Sequence, residues 1–244
     1  MQEPQQPHRS PRRLVRGVIF LLVLAVSLVV LVYAPIFTLQ RLSLDGTQQL
    51  TEQDVWRISD ARRGEPLFTV KTDVITHRLE EDVRVESATV RRVLPDTLVI
   101  HITERRAVAS LATDYGYADV DHTGKVLAVR KSLGQMRIPL ITGAQLGSRY
   151  IGDTLEDATV RRVLEFLAQL DDSALASLSE VAILAPDRIV AYTAGAVQIR
   201  LGGLDRAEEQ ARLTQGFLED QKTTAHPAEY VDFTYSTPFI KLKQ

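Results

Sequence analysis

The most apolar segment of the chain is the run Gly17–Ala34, in which 18 consecutive residues carry no charge. Helical residues rise about 1.5 Å each, so the run would extend roughly 27 Å, close to the roughly 30 Å of a bilayer's hydrocarbon core. Leu14 and Val15 complete the length if the Arg16 side chain reaches to the headgroups. The pattern therefore predicts one transmembrane helix over residues 14–34.

The charges on either side of this run predict its orientation. Four arginines precede it against the single acid Glu3, whereas the 16 residues after it hold one basic residue, Arg41. Because basic residues stay on the cytoplasmic side, the N-terminus would face the cytoplasm and the chain beyond about Pro35 the opposite side. A cleaved signal peptide is the alternative. The run is longer than the apolar region of a signal peptide, which has about 7 to 15 residues. The only candidate cleavage site with a small residue, Val32-Tyr33-Ala34, is followed by Pro35, so a retained anchor is favoured.

After the anchor, the period of the apolar residues indicates a strand, two helices and two strands. The predicted elements are a strand ending at Asp45-Gly46, a helix capped by Thr51, a second helix ending near Asp82, a strand within Val83–Leu94, and a strand that alternates through Leu98, Ile100 and Ile102. Two helices covering one face of a three-stranded sheet form a small α+β domain.

The remainder of the chain reads as short strands with two helices. The first helix presents Leu155, Val160 and Val163 on one face after a start at Thr154 with Asp157, and Asp205 would cap the last helix. The predicted strands are Val108–Thr113, Tyr117–Asp121, Val126–Val129 and Ile138–Thr142, then a meander of Leu178–Ala185, Arg188–Thr193 and Val197–Leu201, and finally Glu229–Tyr235 and Phe239–Lys243.

The fold class is thus α+β: a transmembrane helix, a small domain of order β-α-α-β-β, and a mixed, β-rich domain with two helices. The boundaries are a disordered tail over 1–13, the anchor over 14–34, the first domain over 35–106 and the second over 107–244. Beyond the anchor, 25 basic residues stand against 30 acidic ones, so nucleic acid is excluded as a partner. The chain has no cysteine, which excludes disulfides and thiolate chemistry.

The candidates for chemistry do not assemble into a catalytic site. Asp119-Val120-Asp121-His122 is interpreted as a solvated hairpin end and not a metal site, since no other cluster could complete it. His77 and His101 are predicted to lie on the surface, without a nucleophile motif. The pair Asp171-Asp172 lies at a helix end with no second acid to accompany it. We therefore predict no catalytic, cofactor-binding or metal-binding residues.

A family resemblance rests mainly on one run of residues in the first domain. Its members are Val85, Ala88, Val90, Arg92, Pro95, Thr97, Leu98, Ile100 and Glu104-Arg105. With Leu39–Gly46, Gly64 and Leu67-Phe68, these residues resemble a POTRA domain. Directly after a single anchor, they resemble the FtsQ/DivIB family of bacterial division proteins. The family's Glu-Arg-x-Pro has Ala107 in place of proline here, which concerns the bend between the domains. The second domain, with its order of strands, helix, strands, helix and strands, resembles the β domain of the same family, and Tyr230–Phe233 (Tyr-Val-Asp-Phe) stands where the family tends to have Val-Asp-Leu-Arg.

This resemblance implies a non-catalytic scaffold of the cell division machinery in the inner (plasma) membrane at the septum. The implied partners are FtsB (DivIC) and FtsL, which are small bitopic proteins, together with other septal membrane proteins. Neither a cofactor nor a small-molecule substrate is implied. Two alternatives remain, a membrane-anchored envelope enzyme and a POTRA-bearing secretion or assembly factor. The second of these would need a β-barrel or further POTRA repeats, and the chain contains neither.

The last two strands are the predicted partner site. If the final strand lies at a sheet edge, its backbone groups can pair with a strand of a partner. Alternation predicts that Ile240 and Leu242 face the core while Phe239, Lys241 and Lys243 point outward. The alternative is that the lysines only protect the edge against aggregation. The partner-binding candidates are Tyr235, Phe239, Ile240, Lys241 and Lys243.

Overall fold

The computed structural model describes residues 11–32, 35–134, 137–144, 146–222 and 228–243. The chain divides into two compact units, Met1–Glu104 and Arg105–Gln244. The first helix, α1, runs over Pro11–Val32, so residues 11–13 of the tail predicted to be disordered are helical. The rest of that tail, and residues 33–34 of the predicted transmembrane helix, lie outside the described residues. Within the described ranges, no helix combines the length and apolarity needed to cross a membrane.

Beyond α1, residues 35–104 of the first unit, which are described without a gap, form three strands and two α-helices. A 3-10 turn at Pro35–Phe37 precedes β1 (Arg41–Asp45), α2 (Glu52–Ser59), α3 (Thr72–Glu81), β2 (Val85–Val93) and β3 (Thr97–Glu104). The strand order is β1-β3-β2, with β1 parallel and β2 antiparallel to β3. The predicted order of strand, helix, helix, strand, strand is confirmed.

Local sequence explains these elements well. Thr51 caps α2 as predicted, because its hydroxyl accepts a hydrogen bond from the Asp54 N–H while the Asp54 carboxylate accepts one from the Thr51 N–H. On β3, Leu98 and Ile100 are fully buried whereas His101 is exposed. The period of two therefore places one face of the sheet against the helices.

In the residues that the structure describes, the second unit is a nine-stranded mixed sheet with three helices. Its strands are β4 (Ala109–Thr113), β5 (Gly116–Val120), β6 (Val126–Arg130), β7 (Leu140–Thr142), β8 (Leu178–Ala185), β9 (Arg188–Thr193), β10 (Gln198–Gly202), β11 (Ala228–Asp232) and β12 (Phe239–Leu242). The helices are α4 (Ala158–Ala168), α5 (Asp172–Ser177) and α6 (Ala207–Gln221). The strand order is β12-β11-β10-β9-β8-β7-β4-β5-β6.

The helices are the crossovers between parallel strands. Helices α4 and α5 connect β7 to the parallel β8, and α6 connects β10 to the parallel β11. Both crossovers step in the same direction along the sheet between parallel strands, so crossovers of one hand would put α4, α5 and α6 on the same face. Contacts of α6 with α4 and α5 agree with this placement. The helix α4 buries Phe166 and Leu167 completely in the shared core.

The prediction of two helices in this unit is wrong, because α5 is a third. It has six residues, of which only Ala174 and Leu175 are buried, and so short a helix has too few turns to produce a recognisable period. The acids predicted to end the preceding helix instead begin this one, since the Asp171 carboxylate accepts a hydrogen bond from the Ala174 N–H. The predicted meander is confirmed, because β8, β9 and β10 are antiparallel neighbours.

The other two helices of this unit begin later than predicted. Asp157 caps α4, because its carboxylate accepts hydrogen bonds from the Thr159 and Val160 N–H groups. Thr154 forms an isolated bridge with Lys125 and not the cap. The residue before α6 is Arg206, not Asp205, and it makes no side-chain capping bond.

Candidate docking edge of the second sheet

Strand β12 is the last strand of the second sheet and is paired with β11 on one side. The register places Ile240 beside Val231 and Leu242 beside Ala228. Because side chains alternate between the faces, Ile240 and Leu242 lie on the face that holds the core. The sequence prediction of the direction of these two side chains therefore agrees with the register.

The exposure of these two side chains differs from that of their neighbours on β11. Val231 and Ala228 are fully buried, whereas Ile240 and Leu242 are each 51% exposed. These two side chains face the core side of the sheet without being covered there, unlike the side chains of β11 beside them. The edge therefore presents two apolar side chains on its core-side face.

On the opposite face, Phe239 lies within an aromatic and basic cluster. The Phe239 and Tyr230 ring centroids are 5.9 Å apart, and the Arg200 guanidinium carbon is 4.0 Å from the centroid of the Tyr230 ring. The Lys241 ammonium lies 5.8 Å from the same centroid. Sequence reasoning found Phe239 and Lys241 but missed Tyr230 and Arg200. Tyr230 alternates with the apolar Val231, and that alternation could have identified it, whereas Arg200 reaches it only through the pairing of β10 with β11.

Lys241 already has a partner within the sheet. Its ammonium donates to a Glu229 carboxylate oxygen at 2.8 Å, and this hydrogen bond raises the pKa of Lys241 above its ordinary value. An acidic segment of a partner would have to share or replace this contact. Lys243 follows the end of β12 and is exposed, and Tyr235, which is 69% exposed, lies in the connection between β11 and β12.

The two edges of this sheet are not equivalent. At the β6 edge, the Val126 N–H donates to the Asp153 carbonyl at 2.8 Å, and the Gly152 N–H donates to the Val126 carbonyl at 2.9 Å. A loop thus covers the start of β6, which is one way in which proteins protect sheet edges. Among the backbone contacts of the described residues, no such cover is found on β12.

Helix α6 fixes the segment that leads from β11 toward β12. The Gln210 side-chain amide, which is buried, donates to the Leu201 carbonyl at 2.5 Å and to the Phe233 carbonyl at 3.1 Å. The Arg206 guanidinium donates to the Phe233 carbonyl at 3.3 Å and to the Thr234 carbonyl at 3.2 Å. These bonds attach the start of the hairpin to the core, so the edge strand extends from a fixed base.

The acidic candidates are buried in ion pairs, not solvated as predicted. Asp119 and Asp121 are 2% and 0% exposed. Asp121 lies 2.7 Å from the Arg105 guanidinium, and Asp119 lies 2.5 Å from that of Arg130. The basic side chains come from distant positions in the sequence, which is why the local pattern did not reveal the burial. Among the described residues, no group of three His, Cys, Asp or Glu residues could hold a metal ion.

Arg105 and Asp121 form the more buried of these pairs, with side-chain exposures of 13% and 1%. Burial raises the pKa of Asp121, but hydrogen bonds from Thr123 and Arg105 lower it by more, so the pKa lies below its ordinary value. The N–H groups of Thr123 and Lys125 also donate to this carboxylate. Asp121 therefore fixes the β5–β6 turn as a charged acceptor.

Glu104, the residue before Arg105, has the corresponding role in the first unit. Its carboxylate accepts hydrogen bonds from the backbone N–H groups of Gln48, Gln49 and Leu50, at 2.8 to 3.0 Å. The Glu-Arg pair of the sequence motif thus has a physical reason. One side chain completes a loop of the first unit, and the other completes a turn of the second.

The two units define the class of the protein: a modular α+β protein in which a POTRA-type domain precedes a sheet-rich C-terminal domain. Residues 37–105 match the family model described as POTRA domain, FtsQ-type, and residues 109–233 match the model described as Cell division protein FtsQ/DivIB, C-terminal. The chain belongs to the FtsQ/DivIB family of cell division proteins. The predicted family and the predicted function in cell division are thereby confirmed.

Individual relatives extend this match over most of the chain. The cell division protein FtsQ of Geotalea daltonii is 29% identical over 211 residues, which cover 85% of this chain and 76% of that protein. FtsQ of Syntrophotalea carbinolica is 26% identical over 200 residues, which cover 80% of this chain and 70% of that protein. The solved major extracytoplasmic domain of DivIB from Geobacillus stearothermophilus, in its trans isomer, is 14% identical, with a TM-score of 0.36 over 50% of this chain and 99% of that domain.

Proposed function

We propose that this division protein is a non-catalytic membrane scaffold that docks small bitopic partners of the FtsB (DivIC) and FtsL type at the septum. A single helix over residues 14–34 would anchor it in the inner (plasma) membrane with the N-terminus in the cytoplasm. The POTRA domain (35–106) and the β domain (107–244) would then act on the opposite side. The observation that carries the docking proposal is the exposed edge strand β12.

The anchor proposal is supported by the composition and the exposure of α1. The run Gly17–Ala34, most of which lies in α1, carries no charge, and four arginines precede it whereas Arg41 is the one basic residue among the 16 that follow. Among its described side chains, Val18, Phe20 and Leu22 are each more than 60% exposed. Soluble surfaces rarely present apolar side chains in such a continuous stretch, whereas a lipid environment would bury them.

The docking proposal is supported by three properties of β12. Its outer backbone edge can accept a further strand, and a strand added there would cover Ile240 and Leu242 on one face and Phe239 on the other. Aromatic side chains with apolar neighbours are typical anchors of interfaces. The hairpin base is held by Arg206 and Gln210, so ordering this edge should cost little conformational entropy on binding.

Photocrosslinking in living cells tests this proposal. We expect p-benzoylphenylalanine at Phe239 of the full-length chain to give an adduct that mass spectrometry identifies as the FtsB-type protein, because the ring would lie at the centre of the added strand. The matched control is Tyr115, an aromatic residue that is 64% exposed in the β4–β5 turn, far along the strand order from β12. An adduct with this partner from Tyr115 and none from Phe239 would place the interface elsewhere.

A further inference from the structure

Beyond α1, the exposed apolar side chains of the first unit are concentrated in particular segments. Residues 35–104 are described without a gap, and their exposed large apolar side chains are Ile36, Phe68, Val74, Val93 and Leu94. Ile36 is 65% exposed and Leu94 58%. All except Val74 lie outside the α-helices: Ile36 in the 3-10 turn, Phe68 in the loop after α2, and Val93 and Leu94 at the end of β2 and the start of the β2–β3 connection.

Hydrogen bonds bring these three segments to one end of the unit. The Leu67 N–H donates to the Phe37 carbonyl at 2.8 Å, and the rings of Phe37 and Phe68 have centroids 5.6 Å apart. The Gln40 N–H donates to the Asp96 carbonyl at 2.9 Å, which adds the β2–β3 turn. The exposed apolar side chains therefore lie around Pro35–Phe37, the segment that leads from α1 toward β1.

Arg92 connects the second and third segments. Its Nε donates to the Leu67 carbonyl at 3.1 Å, and its Nη2 donates to the Val70 carbonyl. The loop that carries Phe68 is thus attached to the strand that continues into Val93 and Leu94. The apolar side chains are held on a fixed framework and are not on separate flexible loops.

The same end of the unit is basic. The segments 35–41, 62–71 and 91–97 carry six basic residues against two acids, and the acids Asp60 and Asp73 flank the middle segment, which leaves a basic excess of two. Exposed apolar side chains ringed by Lys and Arg are the combination with which proteins bind the surface of anionic membranes. The end at which β1 finishes lacks this apolar group, since the neighbouring exposed residues there are Gln48 and Gln49.

We propose that this end of the POTRA domain, defined by Ile36, Phe68, Val93 and Leu94, lies on the bilayer and inserts these side chains among anionic lipid headgroups. The inference rests on the proposed anchor. Ile36 follows Ala34 by two residues, which span at most about 7 Å even when extended. The headgroup layer is itself about 5 to 7 Å thick on each side of the hydrocarbon core. This end of the domain therefore cannot lie far from the lipid, and the contact would fix the domain's height and tilt.

Lipid quenching measures this contact in the full-length protein. Because the chain has no cysteine, a single cysteine can carry an NBD fluorophore. Thr69→Cys places it beside Phe68 and leaves every proposed contact residue intact. In nanodiscs of phosphatidylethanolamine and phosphatidylglycerol containing a headgroup spin-labelled lipid, we expect this label to be quenched several-fold more than one at Gln49→Cys. Combining Phe68→Ser with Leu94→Ser should reduce the quenching to the Gln49 level, and both positions are exposed, so the fold should persist.

A label at Leu24→Cys separates this inference from the anchor proposal. Quenching of that label by a lipid with the spin label on its acyl chain would show that α1 is inserted. If Leu24 is quenched while Thr69 is quenched no more than Gln49, the surface contact is refuted and the anchor stands. If Leu24 is not quenched, the anchor fails and this inference fails with it. Replacing phosphatidylglycerol by phosphatidylcholine should weaken quenching at Thr69, and undiminished quenching would contradict the role of the basic residues.

Discussion

Deletion of residues 238–244 is expected to abolish binding of the FtsB-type partner while the second domain remains folded. The deletion removes the strand to which the partner would pair, and the four residues of β12 are all exposed, so the core loses little buried surface. Within the same strand, Phe239→Ala should cost about 1 to 3 kcal/mol of binding free energy, the range for an interface aromatic. Titration of the full-length protein in nanodiscs with the labelled partner measures both effects.

The control for this prediction is Tyr115→Ala, which truncates an aromatic side chain of similar exposure at the β4–β5 turn. We expect its affinity for the partner to equal that of the unchanged protein. Circular dichroism establishes that each variant is folded. A folded deletion variant that binds with undiminished affinity would show that β12 is not the docking edge and that its lysines serve only to protect it from self-association.

Arg105→Ala is expected to destabilise the second domain by about 3 kcal/mol, because removal of one partner leaves the other charge buried and uncompensated. The remaining hydrogen bonds from Thr123 and Lys125 to Asp121 place the expected value at the lower end of the usual range of about 3 to 5 kcal/mol. The full-length protein is unfolded with urea in detergent, and hydrogen exchange in peptides from β5 and β6 serves as the readout. This readout reports on the second domain alone.

Arg106→Ala is the matched control, since it removes a neighbouring arginine whose ion-pair partner is exposed. The side chains of Arg106 and Asp172 are 44% and 86% exposed, so the loss should be about 1 kcal/mol or less. Equal losses of unfolding free energy in Arg105→Ala and Arg106→Ala would contradict the importance that we assign to the buried pair of Arg105 and Asp121.

The cost of Arg105→Ala should also depend on pH. The native pKa of Asp121 is lowered, so its contribution to stability is complete above the pKa of the unfolded carboxyl, about 3.9, and is lost as the pH falls through the lower native pKa. The difference in unfolding free energy between the unchanged protein and Arg105→Ala should therefore be constant near neutral pH and become smaller below about pH 4. A difference that persists unchanged in acid would mean that packing of the arginine side chain, and not its charge, stabilises the domain.

Local patterns predicted most of the elements. The alternation of Leu98, Ile100 and Ile102 identified β3, and Thr51 with Asp54 marked the start of α2. Such signals depend on residues that are only a few positions apart, so they can be read directly from the sequence. The short helix α5 gave no such signal, because it has room for little more than one turn.

Features that depend on distant partners were not predictable in this way. The burial of Asp119 depends on Arg130, which reaches it from a neighbouring strand. The exposure of Ile240 and Leu242 depends on where β12 lies in the sheet order. Alternation within the strand predicts the face to which each side chain points, but not whether other elements pack over that face. The Tyr230 and Arg200 contact likewise required the parallel pairing of β10 with β11.

Depletion of this protein in its bacterial host tests most directly the claim that it is a scaffold needed for septation. We predict long filamentous cells that continue to replicate and segregate their chromosomes, because the division machinery would lack the component that docks its membrane proteins. Expression of the full-length chain should restore septa, whereas the variant without residues 238–244 should reach the membrane and fail to restore them. Normal septation in depleted cells, or full rescue by the truncated variant, would contradict this account.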